Sequence, residues 1–186
     1  MQRVAIIGGG PAGLMAAEVL AAADSTVNRK NIQIFESMPS VGRKFLMAGK
    51  GGMNITHSEP LADFIGRYGE RAGHIAPLLD AFGPSQLREW IHGLDIDTFV
   101  GTSGRVFPTD MKAAPLLRAW LHRLRGQGVQ FHVRHRWLGW VPDGSLRFAT
   151  PAGEIAVHAD AVILALGGGS WAKLGSDGAW VPTLRE

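Results

Sequence analysis

The chain contains no cysteine, which excludes disulfides, thiolate metal ligation and a redox-active dithiol. It also lacks any apolar run approaching the ~20 residues that a membrane-spanning helix needs. The N-terminal MQRVAIIGGG has too short an apolar stretch for a signal peptide and no cleavage-site pattern, so a cytoplasmic protein without a membrane partner is expected. Internal repeats and low-complexity segments are absent. Seven histidines are present, but His74, His92, His122, His132, His135 and His158 are scattered, without a ligand spacing such as H-E-x-x-H, and no metal is expected. Asn54-Ile55-Thr56 matches the N-glycosylation pattern, but without a secretory route the match is read as coincidence.

What the chain has in excess is glycine: 25 of 186 residues, against a usual share of about 7%. The glycines cluster at 8–10, 49–52 and 167–169, so they mark particular turns. A hydrophobic share of 46% is ordinary for a globular domain. The formal net charge is +3, with basic residues concentrated in RAWLHRLRGQGVQFHVRHRW at 118–137. No DNA- or RNA-binding signature accompanies that patch. It reads as a solvated helix face beside a strand, and no nucleic-acid partner is expected. No feature of the sequence sets an oligomeric state.

Residues 3–7, RVAII, have the pattern of a buried parallel strand. GGGPAG follows at 8–13, then the helix-favouring LMAAEVLAAA. A polar stretch, DSTVNRKN, leads to a second strand, IQIFE (32–36). This is a β-α-β unit with a right-handed crossover. HIAPLLDAF and PSQLREWI are predicted helices, the second with Leu87, Trp90 and Ile91 on one face. TSGRVFPTD reads as a turn-rich connection. Thr109 or Asp110 is placed to cap the next helix, whose stripe is Leu117, Trp120, Leu121 and Leu124, ending at Gly126 or Gly128. VQFHV is a strand; WLGWV, SLRFAT and EIAVH, separated by PDG and PAG, form an antiparallel meander. DAVILALGGG is a buried strand running into glycines. The order is that of a doubly wound sheet with an insertion.

Gly8, Gly10 and Gly13 form G-x-G-x-x-G directly after a strand and at the opening of a helix, with Glu36 ending the next strand. Gly8 permits the tight turn, Gly10 lets backbone approach a pyrophosphate, and Gly13 allows close helix–strand packing. The helix N-terminus offers free N–H groups and the positive end of its dipole, and Glu36 is placed to accept from both ribose hydroxyls. An adenine dinucleotide is expected here. After Glu36 the chain runs SMPSVGRKFLMAGKGGMN, read as a long irregular segment carrying Arg43, Lys44 and Lys50. A loop so rich in donors suits a second wall around a longer cofactor, its glycines letting backbone N–H groups reach ligand oxygens.

That loop resembles those of two-dinucleotide-domain flavoproteins of the glutathione reductase superfamily. Within it the chain is similar to the bacterial NAD(P)/FAD-dependent oxidoreductases related to BaiN. The family pattern GRKxxxSGxGRCNxTN stands against GRKFLMAGKGGMNITHSEP, its GRVFP element against Gly104–Pro108, and its ATGG-S-x-P-x-x-GS-x-GDG stretch against ALGGGSWAKLGSDGAW at 165–180. Met53 stands where many relatives have cysteine, and Leu166 where threonine is usual.

The resemblance implies a Rossmann-like FAD/NAD(P)-binding three-layer α/β fold: a parallel sheet, an antiparallel β-meander and a helical insertion. Residues 1–59 would hold the FAD-binding β-α-β unit and flavin loop, 60–110 the insertion, and 111–186 the return to the FAD-binding domain. It implies a pyrophosphate loop of Gly8, Gly10, Pro11, Ala12 and Gly13, and ribose contacts from Glu36 with Ser37 beside it. Gly42, Arg43, Lys44 and the run Gly51, Gly52, Met53, Asn54 and Ile55 would form the phosphate–ribityl–flavin wall. The Trp137 backbone would meet the adenine, and Ala165, Leu166, Gly167 and Gly168 would pass over the cofactor. Relatives are about twice as long, so a partial chain lacking the substrate and closing region is expected.

The implied function is an FAD-dependent oxidoreductase that passes hydride from NAD(P)H through the flavin to a small-molecule unsaturated or carbonyl acceptor. No residue stands out as its catalytic acid or base; His57 could act as an acid or be a solvated turn residue. A non-catalytic nucleotide-binding remnant, a flavoprotein acting on tRNA and a purely NAD-binding dehydrogenase are the alternatives.

Overall fold

The computed structural model describes residues 2–22, 30–49 and 51–185. Most of the polar stretch after the first helix, and Lys50, lie outside the described residues. In chain order the elements are β1 (Gln2–Ile7), α1 (Pro11–Ala22), β2 (Lys30–Glu36), α2 (Arg43–Ala48), β3 (Thr56–His57), α3 (Leu61–Gly66), α4 (Ala72–Ala81), α5 (Pro84–His92), β4 (Thr98–Val100), β5 (Arg105–Pro108), α6 (Ala113–Gly126), β6 (Gln130–Val133), β7 (Arg136–Trp140), β8 (Leu146–Thr150), β9 (Gly153–Val157) and β10 (Ala161–Leu164). Single 3-10 turns occur at Gly69–Arg71, Ala172–Leu174 and Pro182–Leu184. Two compact units result, Met1–Phe45 with Leu121–Glu186, and Leu46–Trp120.

The first unit is built on a parallel sheet in the order β10-β1-β2-β6. β1 is central and pairs on both sides, with Ile6 opposite Ile163 and Ile34. Because both its faces are covered, Val4, Ala5, Ile6 and Ile7 are all buried, which is why RVAII reads as a continuous apolar run and not an alternating one. Successive side chains point to opposite faces. On one face Ile6 meets α1, where Leu14 and Ala17 are fully buried. On the other, Ala5, Ile7 and Phe35 pack with Trp137, Leu146 and Phe148 of the antiparallel sheet β7-β8-β9. Phe35 and Phe148 stack at 4.4 Å between ring centroids. The unit is thus a three-layer helix/sheet/meander sandwich, as the sequence led us to expect. Arg123 of α6 reaches Glu18 of α1 at 2.8 Å, giving that buried carboxylate its counter-ion.

The second unit joins α3, α4 and α5 to a small antiparallel sheet in the order β3-β5-β4. The segment read as a turn-rich connection in fact contains β5, whose Val106 pairs with Thr56 on one side and Val100 on the other. Ile91 and Val106 are fully buried, and Trp90 meets Trp120 edge-on at 4.7 Å. The stretch after Glu36 is likewise less irregular than its glycines suggest, because Arg43–Ala48 is helical. At the start of α6, Asp110 accepts the Lys112 N–H at 3.1 Å. It therefore makes an Asx-turn ahead of the helix and does not occupy the cap position itself.

Candidate functional site

The first unit brings the carboxyl ends of β1, β2 and β10 to one edge, where open parallel sheets bind their ligands. β1 is followed by Gly8, whose φ of +114° is closed to most side chains. A Cβ there would overlap the carbonyl oxygen of Ala165, and one on Gly13 would overlap the carbonyl oxygen of Gly8. These two glycines are fixed by internal packing. Gly10 differs: its φ is not positive and an added Cβ would meet nothing within 4 Å. Among the described residues nothing demands glycine at that position.

The helix that follows opens with Pro11, which has no N–H to satisfy, and its first intrahelical bond runs from Leu14 N–H to Gly10 at 2.9 Å. Among the described residues no acceptor meets the N–H groups of Gly10, Ala12 or Gly13. The first turn of α1 carries no acidic side chain. Free N–H groups and the positive end of a helix dipole are the chemistry that suits an anion.

Glu36 ends β2 and binds the loops on either side of it. Its Oε2 accepts the Gly9 N–H at 2.8 Å, and its Oε1 accepts the Met38 N–H at 2.8 Å and the Ser37 hydroxyl at 3.3 Å. A carboxylate has about four acceptor sites, so one remains for a ribose hydroxyl, and a second if the long Ser37 bond gives way. Sequence reading foresaw the acid but not these prior attachments. It also passed over Gly9, whose added Cβ would lie 2.5 Å from Val41 Cγ1 and 3.1 Å from Glu36 Oε2. The available signal was that a fourth glycine fills a variable position of the motif.

Gly42, at φ +68°, donates to Gly9 at 2.8 Å and so ties the start of α2 to the glycine turn. Arg43 approaches Ser40 at 3.5 Å while its buried Nε has no partner among the described residues. Lys44 donates from Nζ to Ser170 Oγ at 2.5 Å. Beyond β10, Ala165 continues the ladder to Ile7 at 2.8 Å. Leu166 packs on the Phe35–Phe148 cluster. Gly167 has a φ of +74°, and the carbonyl of Gly168 is held by the Ser176 hydroxyl at 2.9 Å. Trp137 has its side chain in the core with Ile7 and Phe35 and its backbone paired with Phe148, two residues beyond His135, whose N–H donates to the Glu36 carbonyl at 2.9 Å.

The run Gly51–Ile55 belongs to the second unit. Its N–H groups were expected to face ligand oxygens, but four are engaged internally: Gly52 with Gly49, Met53 with Met111, Asn54 with Gly52 and Ile55 with Val106. The Asn54 amide donates to Thr56 and Val106, and Met53 is buried. His57 is a loop fastener, with Nε2 against the Ser103 carbonyl at 2.9 Å and Nδ1 accepting from Glu59 at 3.2 Å.

A β-α-β unit with free N–H groups at its first glycine turn and an acid at the end of its second strand defines a Rossmann-type dinucleotide-binding domain. The sequence profile of the HI0933-like protein Rossmann domain matches residues 2–186, and the chain belongs to that family. The resemblance carried by the three spaced motifs is thereby borne out. The chain is 32% identical over 188 residues to the 3-dehydro-bile acid delta(4,6)-reductase of Clostridium scindens, covering all of this chain and 44% of that protein. It thus spans less than half the length of this curated relative. In fold it is similar to the 3-ketosteroid-delta4-(5alpha)-dehydrogenase of Rhodococcus jostii RHA1, with a TM-score of 0.62 at 16% identity over 90% of this chain and 46% of that one. The open conformation of a flavocytochrome c3 fumarate reductase gives 0.62 at 20% identity over 90% of this chain and 34% of that one. Among the described residues no helix is long and apolar enough to cross a membrane.

Proposed function

We propose that this chain is the FAD-binding portion of an oxidoreductase that takes hydride from NAD(P)H and delivers it to a small unsaturated or carbonyl compound. The observation that carries the reading is Gly10: a glycine with ordinary φ and open space where its side chain would be, beside N–H groups without acceptors. A ligand's pyrophosphate accounts for both. The kinship with a reductase of an oxidised bile acid supports the reaction class and an alicyclic carbonyl compound as acceptor.

FAD fits the residues present. The N–H groups of Gly10, Ala12 and Gly13 would bind the pyrophosphate, with the α1 dipole offsetting its charge. Glu36 would orient the ribose through the acceptor capacity left to it, while its bonds to Gly9 and Met38 hold the turn in shape. Arg43 and Lys44 would add positive charge at the start of α2, with the buried Arg43 Nε finding its acceptor in the ligand. Ala165–Gly168 would close the opposite side. When bound, the flavin supplies two-electron hydride chemistry; the protein supplies binding, orientation and electrostatics.

The test is reconstitution with FAD followed by gel filtration. Flavin absorbance that travels with the protein, and is bleached by NADH or NADPH, supports the proposal. A folded chain that emerges colourless after reconstitution overturns it.

A further inference from the structure

We infer that Ser170 is a positioning residue that holds the Lys44 ammonium against the pyrophosphate of a bound dinucleotide. The inference rests on the proposed dinucleotide site and adds a residue to it.

Lys44 Nζ donates to Ser170 Oγ at 2.5 Å across 126 residues of chain. The segments that carry both partners leave from the glycine turn. Gly42, two residues before Lys44, is bonded to Gly9 at 2.8 Å, and two residues span at most about 7 Å. Ser170 lies five residues beyond Ala165, whose carbonyl oxygen lies against Gly8, and the intervening segment is fixed by the bond from Ser176 to Gly168. The turn that begins directly after Ser170 is closed by mutual bonds between Trp171 and Ser176 at 3.0 and 3.1 Å, and Gly175 sits against Met38. The hydroxyl is therefore presented by a fastened loop.

Among the described residues no carboxylate lies within ion-pair distance of Lys44. An exposed bond from an ammonium to a hydroxyl barely offsets the rotamer freedom lost by pinning a lysine. What the bond achieves is placement: it takes one of three ammonium donors and leaves two directed by a fixed partner. The anion such a placement would serve is one bound at the N-terminus of α1, because Gly42 fastens the start of α2 to Gly9 in the glycine turn.

Calorimetric titration with ADP, at low and high salt, tests this on the wild type, Lys44→Met, Ser170→Ala, Ser170→Thr and the Lys44→Met/Ser170→Ala double variant. Lys44→Met should weaken ADP about 10-fold at low salt, the size of one charge-assisted hydrogen bond, and the difference should shrink as salt screens the charge. Ser170→Ala should weaken it about three- to fivefold, Ser170→Thr should stay near wild type, and the double variant should bind no worse than Lys44→Met. Lys44→Met binding as tightly as wild type, or the Ser170→Ala loss adding in full to that of Lys44→Met, overturns the inference. A folded wild type that ignores ADP removes the dinucleotide site itself and this inference with it.

Discussion

Gly10→Ala and Gly13→Ala separate a glycine kept for a ligand from one kept for the fold. At Gly10 the new methyl meets nothing within 4 Å and φ is compatible with alanine. Stability should therefore stay within about 0.5 kcal/mol of wild type, or rise slightly because the unfolded chain loses freedom. Binding should suffer, since the methyl occupies the space a pyrophosphate oxygen needs to reach the N–H. Losing one hydrogen bond to a charged group costs about 1.5–3 kcal/mol, or roughly 10- to 150-fold in ADP affinity. At Gly13 the methyl would run into the Gly8 carbonyl oxygen and lie 3.3 Å from Ile6 Cγ2. Backbone cannot yield as a side chain does, so a loss of about 1–3 kcal/mol in stability is expected. Thermal melts and ADP calorimetry on the two variants give the answer. Gly10→Ala with wild-type ADP affinity would refute the argument, as would a destabilisation matching that of Gly13→Ala.

Other consequences follow from the core and the charges. Phe148 is fully buried and stacks on Phe35, so Phe148→Ala should cost about 3–5 kcal/mol in urea unfolding; a loss below about 1 kcal/mol would contradict the packing described. Arg123→Ala leaves the Glu18 carboxylate buried without this counter-ion and should cost about 2–3 kcal/mol, with part recovered in the Glu18→Gln/Arg123→Ala double variant. Burial, and secondarily the neighbouring His135, lowers the pKa of His132. The unfolded chain therefore takes up this proton first, so its contribution to stability is intact above the ordinary histidine value and is lost as pH falls through it. His132→Leu should flatten the stability–pH curve below about pH 6.5; an unchanged acid limb would show that His132 is not responsible.

Legibility in the sequence followed the length of the elements and the locality of their contacts. The β1-α1-β2 unit was readable because a central parallel strand is apolar on both faces and the glycines punctuate its end. α6 announced itself by its apolar stripe, and the meander by its PDG and PAG turns. The sheet of β3, β4 and β5 was not readable: its strands are two to four residues long, too short for alternation to show, and Thr56 finds Val106 fifty residues away. α2 was hidden because six helical residues lie between Gly42 and Gly49. At the candidate site, motif spacing pointed to Gly8, Gly10, Gly13 and Glu36. Spacing carries no information about partners, so the bonds from Gly9 and Met38 to Glu36, and from Lys44 to Ser170, came only with the structure. The same holds for Gly52–Ile55, whose flexible composition suggested free N–H groups that the second unit uses for itself.

The most direct test of the central claim is a titration of FAD into the chain, repeated in saturating ADP. One dinucleotide site at the glycine turn predicts that FAD binds and that ADP displaces it, because both present an adenylate and a pyrophosphate to the same N–H groups. Binding of FAD that ADP leaves untouched would place the flavin elsewhere, and a folded chain that binds neither would contradict the account altogether.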